Sequence, residues 1–335
     1  MTEMMHAVGY RKPAPISNPA SLEDAEVPVP EPGPRDLLVQ VQAVSVNPVD
    51  VKLRASADPG GQLKILGYDA AGVMTAAGDR VTLFAPGDEV HYAGSIARPG
   101  ADAQFHVVDE RIVGHKPRTL SFPEAAALPL TTIVAWETLF DRFRLSPETA
   151  GTLLVLGAAG GAGSMVTQLA RALSRVTVIG TAATPESRQW ALDHGAHQVV
   201  DHHDLVAQVR SVEPDGVNYV FSSHTGGNVG NFAEIIQPFG AITAIDEPEG
   251  LDLLPLKDKS ITFHWEYMFT RPLFEPPGMI GQHELLDRVA ELADEGTIRS
   301  TLTTELNPFN AETMRRAHEM VESGHMTGKV VVSGF

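Results

Sequence analysis

The stretch that decides the fold of this chain reads Leu153-Leu154-Val155-Leu156-Gly157-Ala158-Ala159-Gly160-Gly161-Ala162-Gly163-Ser164. Its four leading apolar residues predict a buried parallel strand, and the residues from Ser164 to Leu173 follow with helical spacing. Glycines let a backbone turn come close to a ligand, and the N–H groups at a helix N-terminus hold negative charge. We therefore expect Gly160, Gly161, Ala162 and Gly163 to bind the pyrophosphate of a dinucleotide, the alternative being an ordinary tight turn.

The composition limits the class of protein. The chain has 335 residues, of which 43% are hydrophobic and 20% charged, and this favours a folded protein of two domains. The net charge of −17 disfavours binding to nucleic acid or to an anionic membrane. No apolar run is long enough to span a membrane and Met1–Tyr10 lacks a signal-peptide pattern, so we expect a cytoplasmic protein. The lack of cysteine excludes disulfides, cysteine nucleophiles and zinc sites with thiolate ligands.

The pattern of the chain changes near Ser121. Before it, short apolar runs alternate with Gly and Pro turns, as in Leu37–Val44, Gly72–Gly78 and Pro86–Val90, and this pattern predicts a β-rich, partly barrel-like domain. Beyond it, helices are expected at Pro123–Leu128 and Thr131–Phe140. Helical segments then alternate with short strands, which we place at Val176–Gly180, Gln198–Val200, Val217–Phe221 and Ala241–Ile245. That alternation predicts a doubly wound parallel sheet.

Three further elements are predicted towards the end of the chain. Arg271–Gly278, which contains three prolines, is expected to be a loop or crossover. Residues 281–296 form an amphipathic helix whose apolar face comprises Leu285, Leu286, Val289 and Leu292. Gly328–Val332 is expected to be a final strand.

Several ordered motifs identify a family. They are Ala43–Asp50, Leu66–Val73, Phe84–Val90, Ala127–Thr131 with Ala135–Glu137, the glycine turn and Gly328–Val331. On these motifs the chain resembles the zinc-free, quinone-oxidoreductase-like branch of the medium-chain dehydrogenase/reductase superfamily. The resemblance implies an α/β protein with a GroES-like β-barrel catalytic domain (1–125 and 275–335) and an inserted Rossmann domain with a doubly wound parallel sheet (126–274). It also implies an active site in the cleft between these domains.

The chain departs from its zinc-dependent relatives at the metal-binding positions. Those relatives place a cysteine near Asn47 and a His-Glu pair after the glycine at Gly67, where this chain has Tyr68 and Asp69. A zinc site needs three or four N, S or O ligands in a set geometry, so we expect no metal. For His202-His203-Asp204 we expect a solvated loop, because adjacent residues of an extended segment point to opposite sides.

The second strand of the Rossmann domain indicates which nicotinamide cofactor is used. Sites specific for NAD carry an acidic residue about 20 positions after the glycines, where it binds the ribose 2′-OH. This strand ends instead in Thr181-Ala182-Ala183-Thr184, without a carboxylate. We expect Thr184, Ser187 and Arg188 to hold the 2′-phosphate of NADP(H), a surface position for Arg188 being the alternative.

The resemblance and the strand ends together give the remaining site residues. Asn47 is expected to bind substrate or nicotinamide ribose, and Lys52, oriented by Asp50, to donate to a developing oxyanion. The alternative for this pair is a helix-start carboxylate and a surface lysine. Tyr68 is expected to line the site as a donor, or to be a packed core tyrosine. The expected cofactor contacts are Thr131, Ser222 (with Ser223 and His224), Ile245 (with Asp246), Arg271 and Lys329. A salt bridge within its loop is the alternative for Arg271.

These features predict an NADPH-dependent oxidoreductase that transfers hydride to a small-molecule quinone or α,β-unsaturated carbonyl without zinc. Two alternatives stay open: a zinc-free alcohol or aldehyde oxidoreductase, and a cofactor-binding protein of structural or regulatory function with little turnover. The polar Asn47, Tyr68 and Thr131 favour an enzyme. We also expect a homodimer in which Ile261–Met268 extends the parallel sheet across two chains, unless Arg271–Gly278 buries this strand.

Overall fold

A computed structural model describes residues 3–335 and divides the chain into two compact units. The first unit comprises Met1–Leu130 and Phe269–Phe335, and the second comprises Thr131–Met268. The strands are β1 (Met4–Tyr10), β2 (Glu23–Pro28), β3 (Asp36–Ser45), β4 (Lys64–Ile65), β5 (Ala70–Ala77), β6 (Glu89–Tyr92), β7 (Phe105–Asp109), β8 (Val113–His115), β9 (Ala150–Val155), β10 (Arg175–Thr181), β11 (Gln198–Val200), β12 (Val217–Ser222), β13 (Ile236–Ala244), β14 (Thr262–Trp265), β15 (Leu302–Leu306) and β16 (Lys329–Ser333).

The α-helices lie between these strands. They are α1 (Pro48–Ser56), α2 (Phe122–Ala126), α3 (Pro129–Trp136), α4 (Gly161–Leu173), α5 (Pro185–Asp193), α6 (Leu205–Val212), α7 (Val229–Ile235), α8 (Thr270–Phe274), α9 (Gly281–Asp294) and α10 (Ala311–Glu322). No helix within residues 3–335 has both the length and the apolar character that a membrane span requires.

The first unit is built around the long strand β3. This strand pairs antiparallel with β5, β7 and β16, so the end of the chain joins a sheet that begins near residue 36. Its alternate residues Leu37, Val39 and Val41 are fully buried, as expected of a strand with one face in the core. The GroES-like part of the predicted fold is confirmed, with the pairing of β16 and β3 bringing Val331 opposite Ser45.

The second unit contains a six-stranded sheet in the order β11-β10-β9-β12-β13-β14. Every neighbouring pair is parallel, and helices follow most of its strands. The central strands β9 and β12 are buried towards their carboxyl ends, and Leu154, Val220 and Ile242 share one buried core. The predicted parallel Rossmann sheet is confirmed.

Two segments differ from the sequence prediction. Arg271–Gly278 was predicted as a loop, but its first residues belong to helix α8, which tolerates Pro272 because proline near a helix start removes no needed N–H. The helix ends at Phe274, and the next residue, Glu275, has a φ of 41°. The helix predicted over Thr131–Phe140 ends as α-helix at Trp136 and continues as a π-helix, Glu137–Arg142.

Candidate active site

The first unit places Asn47 at the N-cap of α1. The helix begins here because Asn47 is extended, Pro48 is its first residue, and the Asp50 carboxylate accepts the Asn47 backbone N–H at 2.8 Å. The other Asp50 oxygen accepts the backbone N–H of Gly67 at 3.0 Å. Asp50 therefore fixes the start of α1, whereas the side chain of Lys52, two residues on, is exposed.

A buried polar cluster of Asn47, Asp69 and Lys329 adjoins this helix start. Lys329 Nζ donates to Asp69 Oδ2 at 3.0 Å, to the Val46 carbonyl at 3.2 Å and to Asn47 Oδ1. Asn47 Nδ2 donates in turn to Asp69 Oδ2 at 2.8 Å and to the Ser45 carbonyl at 3.3 Å. Asn47 is 1%, Asp69 0% and Lys329 5% exposed, so the charges are paired away from water.

Asn47 and Asp69 of this cluster stand at two of the positions where the resemblance places the metal ligands of zinc-dependent relatives. The donor set of the cluster does not fit zinc, because the amide oxygen of Asn47 and one Asp69 oxygen already accept from an ammonium group. The second Asp69 oxygen accepts the backbone N–H of Leu130 at 2.7 Å. A divalent cation would also stand beside the positive charge of Lys329, which already neutralises this carboxylate. Burial raises the pKa of Asp69, and the Lys329 charge opposes that shift.

Asp102 forms a second buried carboxyl site that the sequence analysis missed. It is 1% exposed, and its Oδ1 atom has no hydrogen-bond partner among residues 3–335. Gly67, with φ +102°, lies between Asp102 and Asp50, and a Cβ there would approach Asp102 Oδ1 to 2.4 Å. Burial raises the pKa of Asp50 to about 7, while burial and the Asp50 charge raise the pKa of Asp102 well above its usual value. Burial therefore favours the protonated forms of this pair more than water does.

The raised pKa values of Asp50 and Asp102 predict how the free energy of unfolding depends on pH. The pKa values of Asp50 and Asp102 are raised in the folded protein. The unfolded chain therefore releases these protons at a lower pH than the folded protein does, at about 4. Stability from this pair is therefore greatest at low pH and falls as the pH rises through about 7. We expect Asp102→Asn to flatten that fall, by up to about 1.4 kcal/mol per pH unit for one proton.

Urea unfolding of both proteins at several pH values measures the effect. Asp79→Asn, the same substitution at an exposed position, serves as the control and should leave the pH dependence unchanged. Parallel curves for the wild type and Asp102→Asn would show that Asp102 is ionised in the folded protein.

Tyr68 is fully buried in the first unit. Its ring packs edge-on against Phe269, with centroids 5.4 Å apart. In the second unit Thr131 is 3% exposed on α3. Arg271, in the first unit, donates from Nε to the carbonyl of Gly278 at 3.1 Å and thereby holds its own loop.

The glycine turn of the second unit lies between β9 and α4. Gly160 is the N-cap of α4, without a side chain that could cap it, so Gly161, Ala162 and Gly163 begin the helix with N–H groups unclaimed by a capping side chain. A Cβ on Gly163 would lie 2.2 Å from the Gly157 carbonyl oxygen, so the tight turn requires glycine there. This turn fits a dinucleotide pyrophosphate.

The residues predicted to read the 2′-phosphate lie at the start of α5. Thr184 is its N-cap, and the hydroxyls of Thr184 and Ser187 are 3.1 Å apart. Arg188 donates to the carbonyls of Ala182 at 3.2 Å and Val199 at 2.6 Å, which lie at the ends of two neighbouring strands. The guanidinium group thus stands at the carboxyl edge of the sheet, with further N–H groups for an anion.

The next strands bring Ser222 and Asp246 together. Thr225 donates its backbone N–H and its hydroxyl to Asp246 at 2.6 and 2.5 Å, and the hydroxyl also lies 2.9 Å from Ser222 Oγ. Ile245 donates its N–H to the Ser222 carbonyl at 3.0 Å. Ser222 is fully buried, so its side chain supports the loop after β12, whereas His224 is exposed and lies 2.9 Å from Ser223 Oγ.

His202 and His203 lie in an exposed loop, as expected, but their side chains do not point to opposite sides. The segment is a turn rather than an extended strand, and the two rings have centroids 4.2 Å apart. Ligand atoms of both histidines and of Asp201, not Asp204, lie within 4.8 Å of one another. His203 donates its backbone N–H to Asp201 at 2.9 Å, and this bond lowers the pKa of Asp201.

Comparison with known proteins identifies the family. Residues 33–129 match the alcohol dehydrogenase GroES-like domain, and residues 194–332 match the family described as zinc-binding dehydrogenase. A zinc-type alcohol dehydrogenase-like protein of Staphylococcus aureus (strain MSSA476) is 39% identical over 336 residues, covering 98% of this chain and 100% of that protein. Human NAD(P)H oxidoreductase RTN4IP1, a mitochondrial protein, is 28% identical over 337 residues, which cover 90% of this chain and 82% of that protein.

Solved structures of similar proteins have the same fold. A protein from Rhizobium etli CFN 42, named provisionally as a zinc-dependent alcohol dehydrogenase, has 49% identity and a TM-score of 0.96 over 100% of this chain and 99% of its own. The Escherichia coli quinone oxidoreductase complexed with NADPH shares the fold, with a TM-score of 0.81 and 22% identity over 98% and 99%. Fold and relatives together define a dehydrogenase/reductase with a GroES-like and a Rossmann part. The chain belongs to the medium-chain dehydrogenase/reductase superfamily, among its zinc-type alcohol dehydrogenase-like proteins, and is an oxidoreductase.

Proposed function

We propose that this protein is an NADPH-dependent oxidoreductase that reduces a quinone or an α,β-unsaturated carbonyl without zinc. The observation that carries the proposal is the buried cluster of Asn47, Asp69 and Lys329, in which an ammonium group takes the place of a metal cation. A metal Lewis acid normally stabilises the negative charge on the oxygen of an alcohol during its oxidation. Addition of hydride to an already electrophilic carbon needs less stabilisation of this kind.

The glycine turn supports the choice of cofactor. When bound, NADPH supplies the hydride. The backbone N–H groups of Gly161, Ala162 and Gly163 would hold its pyrophosphate, and Thr184, Ser187 and Arg188 its 2′-phosphate. We assign these contacts to a cofactor domain at 126–274 and the substrate contacts to a catalytic domain at 1–125 and 275–335.

The polar side chains near α1 divide into two roles. Asn47 and Asp50 make bonds within the protein through their polar atoms, so we assign them to positioning the site. Tyr68 and Lys52 carry the O–H and N–H groups that we propose as donors to the substrate oxygen on which negative charge develops. Substituting each singly, as Tyr68→Phe and Lys52→Met, and measuring turnover with one enone identifies the donor, and parent rates in both variants would refute this role.

Cofactor preference tests the nucleotide part of the proposal. The affinity for NADPH should exceed that for NADH, because β10 ends without a carboxylate. Arg188→Ala should narrow the difference, since a hydrogen bond to a charged group contributes about 1.5–3 kcal/mol. Calorimetric titration with both nucleotides measures it, and Arg175→Ala, at an exposed position where β10 begins, is the matched control. Equal affinities in the wild type would contradict the proposal.

We also propose a homodimer formed through β14. This strand is the edge of the six-stranded sheet, pairs with β13 alone among residues 3–335, and carries Trp265 with 51% of its surface exposed. Light scattering should give twice the mass of one chain at micromolar concentration. Phe263→Lys should shift the protein to the monomer, and a monomeric wild type would rule the interface out.

A further inference from the structure

Trp190 connects two parts of the second unit that lie far apart in the sequence. It belongs to α5, and its indole N–H donates to Ser164 Oγ at 2.8 Å. Ser164 is fully buried near the start of α4, and its hydroxyl donates to the carbonyl of Ala158 at 3.3 Å. Two consecutive hydrogen bonds therefore run from α5 through α4 into the glycine turn.

The same turn is held from the side of the sheet by Thr181, the last residue of β10. Gly157 donates its N–H to Thr181 Oγ1 at 2.9 Å, and Ala158 donates its N–H to the Thr181 carbonyl at 3.1 Å. The turn is thus supported by β10 on one side and by Ser164 with Trp190 on the other. Backbone groups supported in this way keep one direction, which a site for a bound anion requires.

His194 fixes the indole of Trp190. The two rings stack with centroids 3.9 Å apart and planes inclined by 22°, and a ring nitrogen of His194 lies 2.8 Å from the Trp190 carbonyl oxygen. His194 is only 5% exposed, so the stack lies at the protein interior. The indole N–H is therefore directed at Ser164 before any ligand binds.

Helix α5 also carries Ser187 and Arg188, within one turn of Trp190. One short helix thus bears the residues assigned to the 2′-phosphate and the residue that supports the turn assigned to the pyrophosphate. We propose that Trp190 is a positioning residue for the nucleotide, acting through Ser164 on the glycine turn. This inference rests on the proposed nucleotide site. Because the pyrophosphate is common to NADPH and NADH, Trp190 contributes equally to the affinity for both.

Trp190→Phe tests the inference, because it removes the N–H and keeps an aromatic ring. The dissociation constants of NADPH and NADH, measured by calorimetry, should both rise by the same factor, about three- to tenfold for one neutral hydrogen bond. Trp136→Phe, in α3, where the indole packs against Phe140, is the matched control and should change neither constant. Arg188→Ala provides the contrast, because it should weaken the binding of NADPH and leave the binding of NADH unchanged.

Ser164→Ala keeps the test decisive if Trp190→Phe does not fold. It should weaken the binding of both nucleotides as Trp190→Phe does. The double variant should bind them only slightly more weakly than either single variant, because both side chains belong to one hydrogen-bonded chain. Parent affinities in the folded variants, a loss confined to NADPH, or additive losses in the double variant would each overturn the inference. A wild-type protein that binds neither nucleotide would instead overturn the proposed function.

Discussion

Lys329→Met is expected to destabilise the first unit by about 3–5 kcal/mol, because it leaves the fully buried Asp69 carboxylate without its cation. The substitution keeps much of the side-chain length but removes three hydrogen bonds, to Val46, Asn47 and Asp69. Urea unfolding followed by far-ultraviolet circular dichroism measures the loss.

A double variant separates the charge from the packing. In Lys329→Met with Asp69→Asn the neutral amide no longer needs a cation, so most of the lost stability should return. Lys52→Met, at an exposed position of α1, is the matched control for removal of a lysine and should change stability by less than about 0.5 kcal/mol. Equal destabilisation by Lys329→Met and Lys52→Met would show that Lys329 does not neutralise Asp69.

Gly163→Ala is expected to weaken NADPH binding about tenfold or more. The added methyl would meet the Gly157 carbonyl oxygen at 2.2 Å and other backbone atoms within 2.9 Å, so the turn itself must shift. Forcing atoms into a packed site costs about 1–3 kcal/mol, and each 1.4 kcal/mol corresponds to a tenfold change in affinity. Calorimetric titration with NADPH measures the change.

Gly160→Ala is the control within the same turn. Its Cβ would lie 3.5 Å from the nearest heavy atom, the carbonyl oxygen of Gly157, and its φ of −75° suits any residue. Its unfolding, followed by tryptophan fluorescence, should match the wild type, since Trp136, Trp190 and Trp265 all lie in the second unit. If Gly163→Ala binds NADPH with the parent affinity, the turn has a structural role alone.

The fold followed from local features of the sequence. The apolar run Leu153–Leu156 has the length and composition of a strand buried on both faces, and the glycines between β9 and α4 mark the turn. The barrel-like half was recognisable from its Gly and Pro punctuation. The short helix α8 was missed because Pro272 argues against helix in the interior, while the structure places it at the start.

The polar cluster was only partly predictable. The sequence motifs identified Asn47 and Lys329 as site residues. Their contact, however, depends on the pairing of β16 with β3, which no local pattern specifies. Asp102 was missed because its partner Asp50 lies in a different element and the sequence around it resembles an ordinary turn. Trp190 was missed because its indole reaches Ser164 across 26 residues of sequence.

The most direct test of the proposed function is turnover by metal-depleted protein. NADPH oxidation is followed with an enone and with a quinone, before and after treatment with a chelator, and bound zinc is measured by elemental analysis. A His203→Asn background removes one ligand of the surface group formed with Asp201 and His202, so that zinc bound there is not counted. We predict that the rate is unchanged by chelation and that zinc is far below one per chain. Loss of turnover on chelation, restored by added zinc, would contradict the proposal.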